Sequence, residues 1–135
     1  MSEMDIPGLK PKAAYEYLQR HPEAVLLDVR STCEYRYVGR PIGAIHVPWK
    51  DGCPEWQPNP HFLEQVEAAI PDKRTPILCI CRSGHRSLEA AKALKQAGYE
   101  TVFNVEEGFE GPLDPDRQRS KLGGWRYHGL PWEQD

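Results

Sequence analysis

Residues 77–87 read ILCICRSGHRS, in which an apolar run gives way to a short polar loop. The run Ile77–Ile80 is apolar throughout, which is the pattern of a parallel strand buried on both faces. Strong helix formers follow in residues 87–97, and Gly98 provides a stop for that helix. The segment therefore predicts a strand, a tight loop and a helix in direct succession.

The alternation of strands and helices continues on both sides of this segment. Short apolar runs predict three further strands, at residues 25–29, 43–47 and 101–105. Three further helices are predicted at residues 11–20, at 34–37 after a cap at Ser31 or Thr32, and from Asn59-Pro60 to about Ile70. This order is typical of an α/β fold around a mainly parallel sheet.

Two regions lack a regular pattern. Residues 50–60 are rich in proline and glycine, which predicts a loop. Residues 109–135 are predicted to form a C-terminal loop and a short closing segment, in which Trp125 and Trp132 serve as packing anchors. We expect the whole chain, residues 1–135, to form one domain, because its length is typical of one.

Composition narrows the classes of function. A formal net charge of -3 gives no electrostatic case for nucleic-acid binding. No apolar run reaches the roughly 18 residues of a membrane span, and the first ten residues lack the apolar stretch of a signal peptide. We therefore expect a cytoplasmic protein without membrane contact, whose four cysteines are free or reactive thiols rather than a disulfide framework.

The loop after the predicted strand gathers groups that activate a thiol. Ligands of open α/β sheets bind where strands end, and the N-terminus of a helix attracts anions. Cys81 opens the loop, Gly84 permits a tight turn, and Arg82 and Arg86 add positive charge. Such surroundings favour the thiolate of Cys81, which is the nucleophilic form. The residues alone predict an activated cysteine facing a pocket for a small anion.

The heptapeptide CRSGHRS, from Cys81 to Ser87, resembles the active-site loop of rhodanese-like domains. Further matches occur in the family's order along nearly the whole chain: Asp28-Val29-Arg30 with Glu34, segment 43–48, turn 104–111 and the ending 123–132. On these motifs the chain is identified as a member of this family, of the single-domain bacterial type. The resemblance implies a central, mainly parallel sheet of about five strands, flanked by helices on both faces.

One motif departs from the family pattern. Before its second strand the family usually reads G-H-I-P-G-A, whereas residues 39–44 of this chain read G-R-P-I-G-A. The histidine is absent and the proline is displaced, so this turn differs in sequence while the loop at Cys81 is intact.

The resemblance implies a thiosulfate sulfurtransferase that works by a ping-pong mechanism. The Cys81 thiolate takes the outer sulfur of a small anionic donor such as thiosulfate, sulfite leaves, and a Cys81 persulfide remains. A thiol or cyanide acceptor, or a sulfur-relay protein, then takes this sulfur. The expected protein is a monomer that uses no cofactor and no metal.

The resemblance also implies roles for individual residues. Backbone N–H groups of the loop stabilise the terminal sulfur, Arg86 binds donor oxygens and orients the loop, and Arg82 steers the anion. Asp28 and Arg30 brace the loop through hydrogen bonds and charge pairs. The full substrate-binding set is Arg82, Ser83, Gly84, His85 and Ser87.

Other functions fit parts of the same pattern. Cysteine phosphatases and arsenate reductases place Cys and Arg in a C-x5-R loop, whereas this chain has C-x4-R. A non-enzymatic rhodanese-like interaction module is a second alternative, although such modules often lose the cysteine. A zinc site from Cys79, Cys81 and His85 is a third, although it lacks the paired C-x2-C spacing of structural zinc.

Several further side chains have two interpretations. Cys79 is predicted to be a core residue, with a resolving thiol as the alternative. Cys33 and Cys53 lie in polar segments and are predicted to be incidental, although Cys53 could receive the sulfur. Trp49 and Trp56 are predicted to pack, with a pocket wall as the alternative.

Overall fold

The computed structural model describes residues 5–52 and 55–135. The strands of this part are β1 (Gly8–Leu9), β2 (Val25–Asp28), β3 (Arg40–Pro41), β4 (Ile45–His46), β5 (Lys50–Asp51), β6 (Gln57–Pro58), β7 (Ile77–Ile80), β8 (Val102–Val105) and β9 (Trp132–Glu133). Its helices are α1 (Pro11–Arg20), α2 (Phe62–Ala69) and α3 (His85–Gln96), together with a π-helical turn at Glu34–Val38. Cys53, considered above as a sulfur acceptor, lies outside the described residues.

A five-stranded parallel sheet in the order β1-β8-β7-β2-β4 forms the centre of the molecule. The middle strand β7 pairs with β2 on one side and with β8 on the other. Every residue of β7 is fully buried, which explains why its sequence is continuously apolar. The predicted α/β fold with about five strands is confirmed, and all pairings of this sheet are parallel.

Alternation of side chains along the strands divides the core into two layers. The layer that packs against α2 and α3 includes Leu27, Ile77, Cys79, Val66 and Leu94. The layer that packs against α1 and the C-terminal segment includes Leu26, Leu78, Ile80, Ala14 and Trp125. Helices therefore flank the sheet on both faces, as the resemblance implied.

Two helices begin at positions that differ from the prediction. Helix α2 begins at Phe62 because Asn59 forms a turn: its carbonyl accepts the Phe62 N–H and its side chain accepts the His61 N–H. Helix α3 begins at His85, two residues before the predicted start at Ser87. Arg86 and Ser87 therefore lie in the first turn of α3, next to the loop.

The segment predicted as a loop, residues 50–60, contains a short antiparallel pair of strands. Lys50 of β5 pairs with Pro58 of β6, and Asp51 pairs with Gln57. Asp51 also accepts hydrogen bonds from the N–H and hydroxyl of Thr32, both at 2.8 Å. These contacts hold the segment against the carboxyl edge of the central sheet, which composition alone does not reveal.

The turn that departs from the family pattern is joined to the C-terminal segment. Strand β3 pairs antiparallel with β9. The Arg40 guanidinium, which stands where the family usually has histidine, lies 2.8 Å from an Asp135 carboxylate oxygen and 3.4 Å from one of Glu133. The substitution therefore provides an anchor for the last residues of the chain.

The helices of the described segments are short. The longest, α3, has 12 residues. None of the helices within residues 5–52 and 55–135 is long and apolar enough to cross a bilayer.

Candidate active site

Cys81 lies directly after β7, at the carboxyl edge of the sheet, and opens the loop that leads into α3. The loop reverses at Gly84, whose φ of +111° lies in the left-handed region that glycine adopts without steric cost. This reversal directs the Gly84 N–H back to Cys81 Sγ, at 3.1 Å. The local sequence thus places a thiol, an amide donor and a helix N-terminus together.

A small polar network holds the Cys81 side chain. Ser87 Oγ lies 3.2 Å from Sγ, and the Ser87 hydroxyl donates to Asn104 Oδ1 at 2.5 Å. The Asn104 amide in turn donates to the Gly84 carbonyl at 3.1 Å. Strand β8 therefore supports both sides of the loop through one residue, Asn104.

The thiol forms part of the wall of a cleft of about 190 Å³. Only 1% of Cys81 is exposed, and the residue packs against the layer under α2 and α3, but its sulfur accepts the loop N–H of Gly84. The other residues that line this cleft are Lys50, Trp56, Arg82, Ser83, His85 and Arg86. All predicted loop residues thus lie at or next to the cleft, with Ser83 half-buried and His85 exposed on its rim.

Arg86 is held by a buried ion pair with Glu34. Its Nη1 donates to Glu34 Oε1 at 2.7 Å, and its Nη2 donates to Glu34 Oε2 at 3.0 Å. One face of the guanidinium lies against Trp56, with Cζ 3.8 Å from the ring centre. Both terminal nitrogens are used in tying the loop to the π-helical turn, so the charge of Arg86 is already balanced.

Glu34 is oriented by Ser31 as well as by Arg86. The N–H and hydroxyl of Ser31 donate to Glu34 Oε1 at 3.1 and 3.0 Å, and the Ser31 hydroxyl accepts the Glu34 N–H at 3.3 Å. This reciprocal arrangement is a capping box. Burial opposes ionisation of Glu34, but the hydrogen bond and charge of Arg86 outweigh it and lower the pKa of Glu34. The ionised pair is thus the stable form.

Asp28 and Arg30 form a second buried pair behind the loop, and both are fully buried. Arg30 donates from Nε and Nη2 to the two Asp28 carboxylate oxygens at 2.9 and 2.6 Å, and from Nη2 to the Gly39 carbonyl at 2.7 Å. The Arg30 guanidinium lies 4.4 Å from the ring centre of Phe109, whose N–H donates to the Cys81 carbonyl at 2.8 Å. The pair therefore acts on the loop through Phe109.

A glycine behind the loop allows close packing of two backbone segments. Gly108 has a φ of +64°, and a Cβ there would lie 2.5 Å from the Cys81 carbonyl oxygen. A side chain at this position would displace the loop, so Gly108 is part of the structure that positions Cys81.

Two cations at the cleft have no carboxylate within ion-pair distance in the described part of the chain: Lys50 and Arg82. The Arg82 guanidinium lies over Trp56, at 5.5 Å from the ring centre. Its Nε–H is buried and has no hydrogen-bond acceptor among the described residues. These groups give the cleft an uncompensated positive charge.

The structure does not assemble the three residues considered for zinc. Cys79 is fully buried in β7, where burial and the neighbouring charge of Cys81 raise the pKa of its thiol, whereas His85 is exposed. Within residues 5–52 and 55–135, no group of three or more His, Cys, Asp or Glu side chains is arranged to hold a metal ion.

Several residues that shape the site were missing from the predicted set. Glu34 belongs to a family motif, but the sequence does not mark it as the partner of Arg86. No sequence pattern marks Lys50 as a residue of the cleft. Asn104 was detectable as a polar residue within an apolar strand. Of the two tryptophans, Trp56 forms a wall of the cleft, whereas Trp49 packs edge-on against Phe62.

A model of the rhodanese-like domain matches residues 10–112. The chain belongs to this family. An uncharacterized protein of Rickettsia rickettsii is 32% identical over 133 residues, which cover 96% of this chain and 99% of that protein. The thiosulfate sulfurtransferase GlpE of Haemophilus influenzae is 32% identical over 108 residues, which cover 80% of this rhodanese-like chain and 89% of GlpE.

Solved structures show the same rhodanese-like fold. Rv0390 from M. tuberculosis has a TM-score of 0.88 and 38% identity, covering 97% of this chain and 100% of that chain. The polysulfide-sulfur transferase of Wolinella succinogenes has a TM-score of 0.67 and 24% identity, covering 98% of this chain and 82% of that chain, and supports the fold alone. The similarity to Rv0390 extends past residue 112, where the rhodanese-like family match ends.

Proposed function

We propose that this protein is a sulfurtransferase that carries sulfane sulfur as a persulfide on Cys81. The proposal rests on one observation: Cys81 Sγ accepts the Gly84 N–H while forming part of the wall of a cationic cleft. The homologous thiosulfate sulfurtransferase of Haemophilus influenzae supports thiosulfate as a donor of the right chemical class.

In the first half-reaction, the Cys81 thiolate attacks the sulfane sulfur of thiosulfate. An S–S bond forms to Sγ, the S–S bond within thiosulfate breaks, and its electron pair leaves with sulfite. The terminal sulfur of the persulfide carries negative charge, which the loop N–H groups and the N-terminus of α3 stabilise. Charge and electrons balance without an external oxidant.

In the second half-reaction, a nucleophile attacks the terminal sulfur of the persulfide. Cyanide takes the sulfur to become thiocyanate. A thiolate takes it to become a persulfide, and this acceptor is either a small thiol or a sulfur-relay protein. The Cys81 thiolate is regenerated as the leaving group. The same loop donors stabilise it, so one site serves both steps.

The supporting residues keep the loop in position during both steps. The ion pair between Arg86 and Glu34 fixes the end of the loop, and the hydrogen bond from Ser87 to Asn104 ties the loop to β8. The Asp28–Arg30 pair contacts Phe109, which binds the start of the loop. We assign these groups to positioning, since their polar atoms are largely used in contacts within the protein.

The test is persulfide formation followed by intact-protein mass spectrometry. Thiosulfate should add one sulfur to each wild-type chain, and cyanide should remove it with release of one thiocyanate. Cys81→Ser should show no addition, whereas Cys79→Ala should react like the wild type.

An unchanged wild-type mass, or sulfur addition to the Cys81→Ser variant, would refute the proposed function. An aryl phosphate serves as the control substrate for the phosphatase alternative, and we expect no hydrolysis of it. Hydrolysis that depends on Cys81, without sulfur addition, would replace the sulfurtransferase assignment by a phosphatase.

A further inference from the structure

A second cavity, of about 440 Å³, adjoins the cleft that contains Cys81. Lys50 lines both cavities, so they meet at this side chain. The half-buried ring of Trp49 gives the second cavity an apolar wall, and Pro58 and Asn59 border it. Neither thiosulfate nor cyanide needs this space, because both are small ions. The second cavity is therefore available to a larger substrate.

One side of helix α3 runs along both cavities. His85 lines the cleft, whereas Glu89 and Lys92 line the second cavity. These residues are spaced i, i+4 and i+7, which places them on one side of the helix. Seven residues of helix rise about 10 Å, which is also about the span of a three-residue peptide. The wall is thus long enough to hold a short peptide whose thiol reaches Cys81.

The charges on this wall are not paired with each other. Glu89 and Lys92 are three residues apart and therefore neighbours on the helix surface, yet within residues 5–52 and 55–135 neither has an ion-pair partner within 4 Å. One Glu89 carboxylate oxygen accepts the Trp49 Nε1–H at 3.1 Å, which directs the carboxylate toward the indole ring. The helix thus presents an anion and a cation side by side. Such a pair is complementary to an ammonium and a carboxylate that share one carbon atom.

We propose that the second cavity binds the sulfur acceptor. We call it the acceptor groove, formed by Trp49, Lys50, Glu89 and Lys92. The inference rests on the proposed function and deepens it by assigning the acceptor class: a small peptide thiol with an amino-acid zwitterion at one end, of which glutathione is an example. Glu89 binds the ammonium of that end and Lys92 its carboxylate. Lys50 binds the carboxylate at the other end of the peptide.

The chemical step is the second half-reaction. The acceptor thiol loses its proton to solvent, and the thiolate attacks the terminal sulfur of the persulfide. An S–S bond forms to the acceptor, the S–S bond to Cys81 Sγ breaks, and its electron pair stays on Cys81. The groove residues take no part in these bond changes. They orient the acceptor thiol beside Cys81, which raises the rate by proximity.

Three acceptors with the same thiol test the assignment. Glutathione carries both charges of the zwitterion, glutaryl-Cys-Gly lacks the ammonium, and 4-aminobutyryl-Cys-Gly lacks the carboxylate at that end. Cys81 is first loaded with sulfur from thiosulfate, and the excess is removed. Quenched-flow mass spectrometry then measures the second-order rate constant with which each thiol removes the sulfur. The variants are Glu89→Gln, whose amide oxygen still accepts the Trp49 N–H, and Lys92→Gln.

The two variants should respond to different acceptors. Lys92→Gln should slow transfer to glutathione and to glutaryl-Cys-Gly by about fivefold, the effect of losing one exposed ion pair. Its rate with 4-aminobutyryl-Cys-Gly should stay within about twofold of wild type, because that acceptor has no carboxylate for Lys92. Glu89→Gln should show the opposite pattern and slow only the two acceptors that carry the ammonium. Lys92→Arg should recover most of the glutathione rate, because it keeps the charge.

Matched controls remove the same charges from the other face of the sheet. Lys12→Gln and Glu16→Gln change exposed residues of α1, which packs on the layer opposite to α3. Both controls should leave all three rates unchanged. Loading with thiosulfate should be the same in Glu89→Gln, Lys92→Gln and wild type, which shows that each variant is folded and that only the second half-reaction has changed.

Equal losses with all three acceptors would show that Glu89 and Lys92 only support the fold, and unchanged rates would show that they do not contact the acceptor. Either result overturns the acceptor groove and leaves the Cys81 persulfide intact. A wild-type persulfide that reacts as fast with uncharged 2-mercaptoethanol as with glutathione also overturns it. Transfer to reduced thioredoxin but not to glutathione would assign the groove to a protein partner instead. If thiosulfate does not load the wild type at all, the proposed function itself fails.

Discussion

Cys79 and Cys81 are two residues apart and almost equally buried, at 0% and 1% exposure, yet the polar groups around their sulfurs differ. Cys79 lies within β7 among apolar side chains, and burial raises the pKa of its thiol. Cys81 faces the Gly84 N–H and the Ser87 hydroxyl and borders a cleft. Burial therefore does not distinguish the two thiols, whereas the polar groups directed at the sulfur do.

The difference arises from where the sheet ends. Residues two apart in a strand project to the same face, and both cysteines belong to the layer under α2 and α3. The ladder stops at Ile80, so the chain around Cys81 turns its own amides toward the sulfur. Cys81, the first residue after the strand, therefore borders the cleft, whereas Cys79 is a core residue.

Alkylation of the native protein tests this contrast most directly. Iodoacetamide should modify Cys81 about a thousandfold faster than Cys79, because access to Cys79 requires opening of the central sheet, whereas access to Cys81 requires only movement of the half-buried loop. Peptide mapping by mass spectrometry measures both rates, and both thiols should react together in denaturant. Equal rates in the native protein would remove the distinction between strand and loop.

Glu34→Gln should destabilise the loop that contains Cys81 but not strand β7 around Cys79. Loss of the Glu34 charge leaves the buried Arg86 charge without a balancing carboxylate, which should lower the free energy of unfolding by about 3 kcal/mol. The matched control is Glu67→Gln, because Glu67 pairs with Lys73 at the surface and its loss should cost less than about 1 kcal/mol. Denaturant titrations measure both, and equal costs would contradict the assigned role of Glu34.

The stabilisation of the fold by ionised Glu34 should depend on pH. The pKa of Glu34 is lower in the folded protein than in the unfolded chain, so its ionised form stabilises the fold above the unfolded value of about 4.3. That contribution is lost as the pH falls through the lower folded pKa. The difference in unfolding free energy between wild type and Glu34→Gln should therefore shrink between about pH 6 and pH 3. A difference that stays constant over this range would mean that Glu34 is not held ionised.

Ser87→Ala should produce the smallest change. The Ser87 hydroxyl lies 3.2 Å from Cys81 Sγ, and its removal leaves Asn104 Oδ1 without its hydroxyl donor, a loss of about 1–2 kcal/mol. Ser83→Ala, at the half-buried rim, is the control and should lie within about 0.5 kcal/mol of wild type. A Ser87 variant as stable as the Ser83 control would show that the network does not hold the loop.

The central elements could be predicted because each carries its own local pattern. Strand β7 is continuously apolar and α3 is rich in helix formers, so both were found within a few residues of their bounds. Strands β1, β3 and β9 contain only two residues each, which is too short for any periodicity. Their pairing depends on distant partners and could not be recognised locally.

The candidate site divides in the same way. The loop from Cys81 to Ser87 is contiguous, so its residues could be named from the sequence. The partner of Arg86 is Glu34, 52 positions away, and the acceptor groove joins Trp49 to Glu89, 40 positions apart. Such contacts follow from the tertiary arrangement, for which a single sequence gives no spacing rule.

The close packing of residues 108–111 behind Cys81 has a consequence for protein synthesis. The carbonyl groups of Cys81 and Arg82 accept hydrogen bonds from Phe109, Glu110 and Gly111, and the N–H of Trp125 donates to Gly108. A nascent chain that has left the ribosome only as far as α3 contains Cys81 but lacks these supporting hydrogen bonds. The loop around Cys81 is therefore completed only after residues 108–125 have emerged from the ribosome.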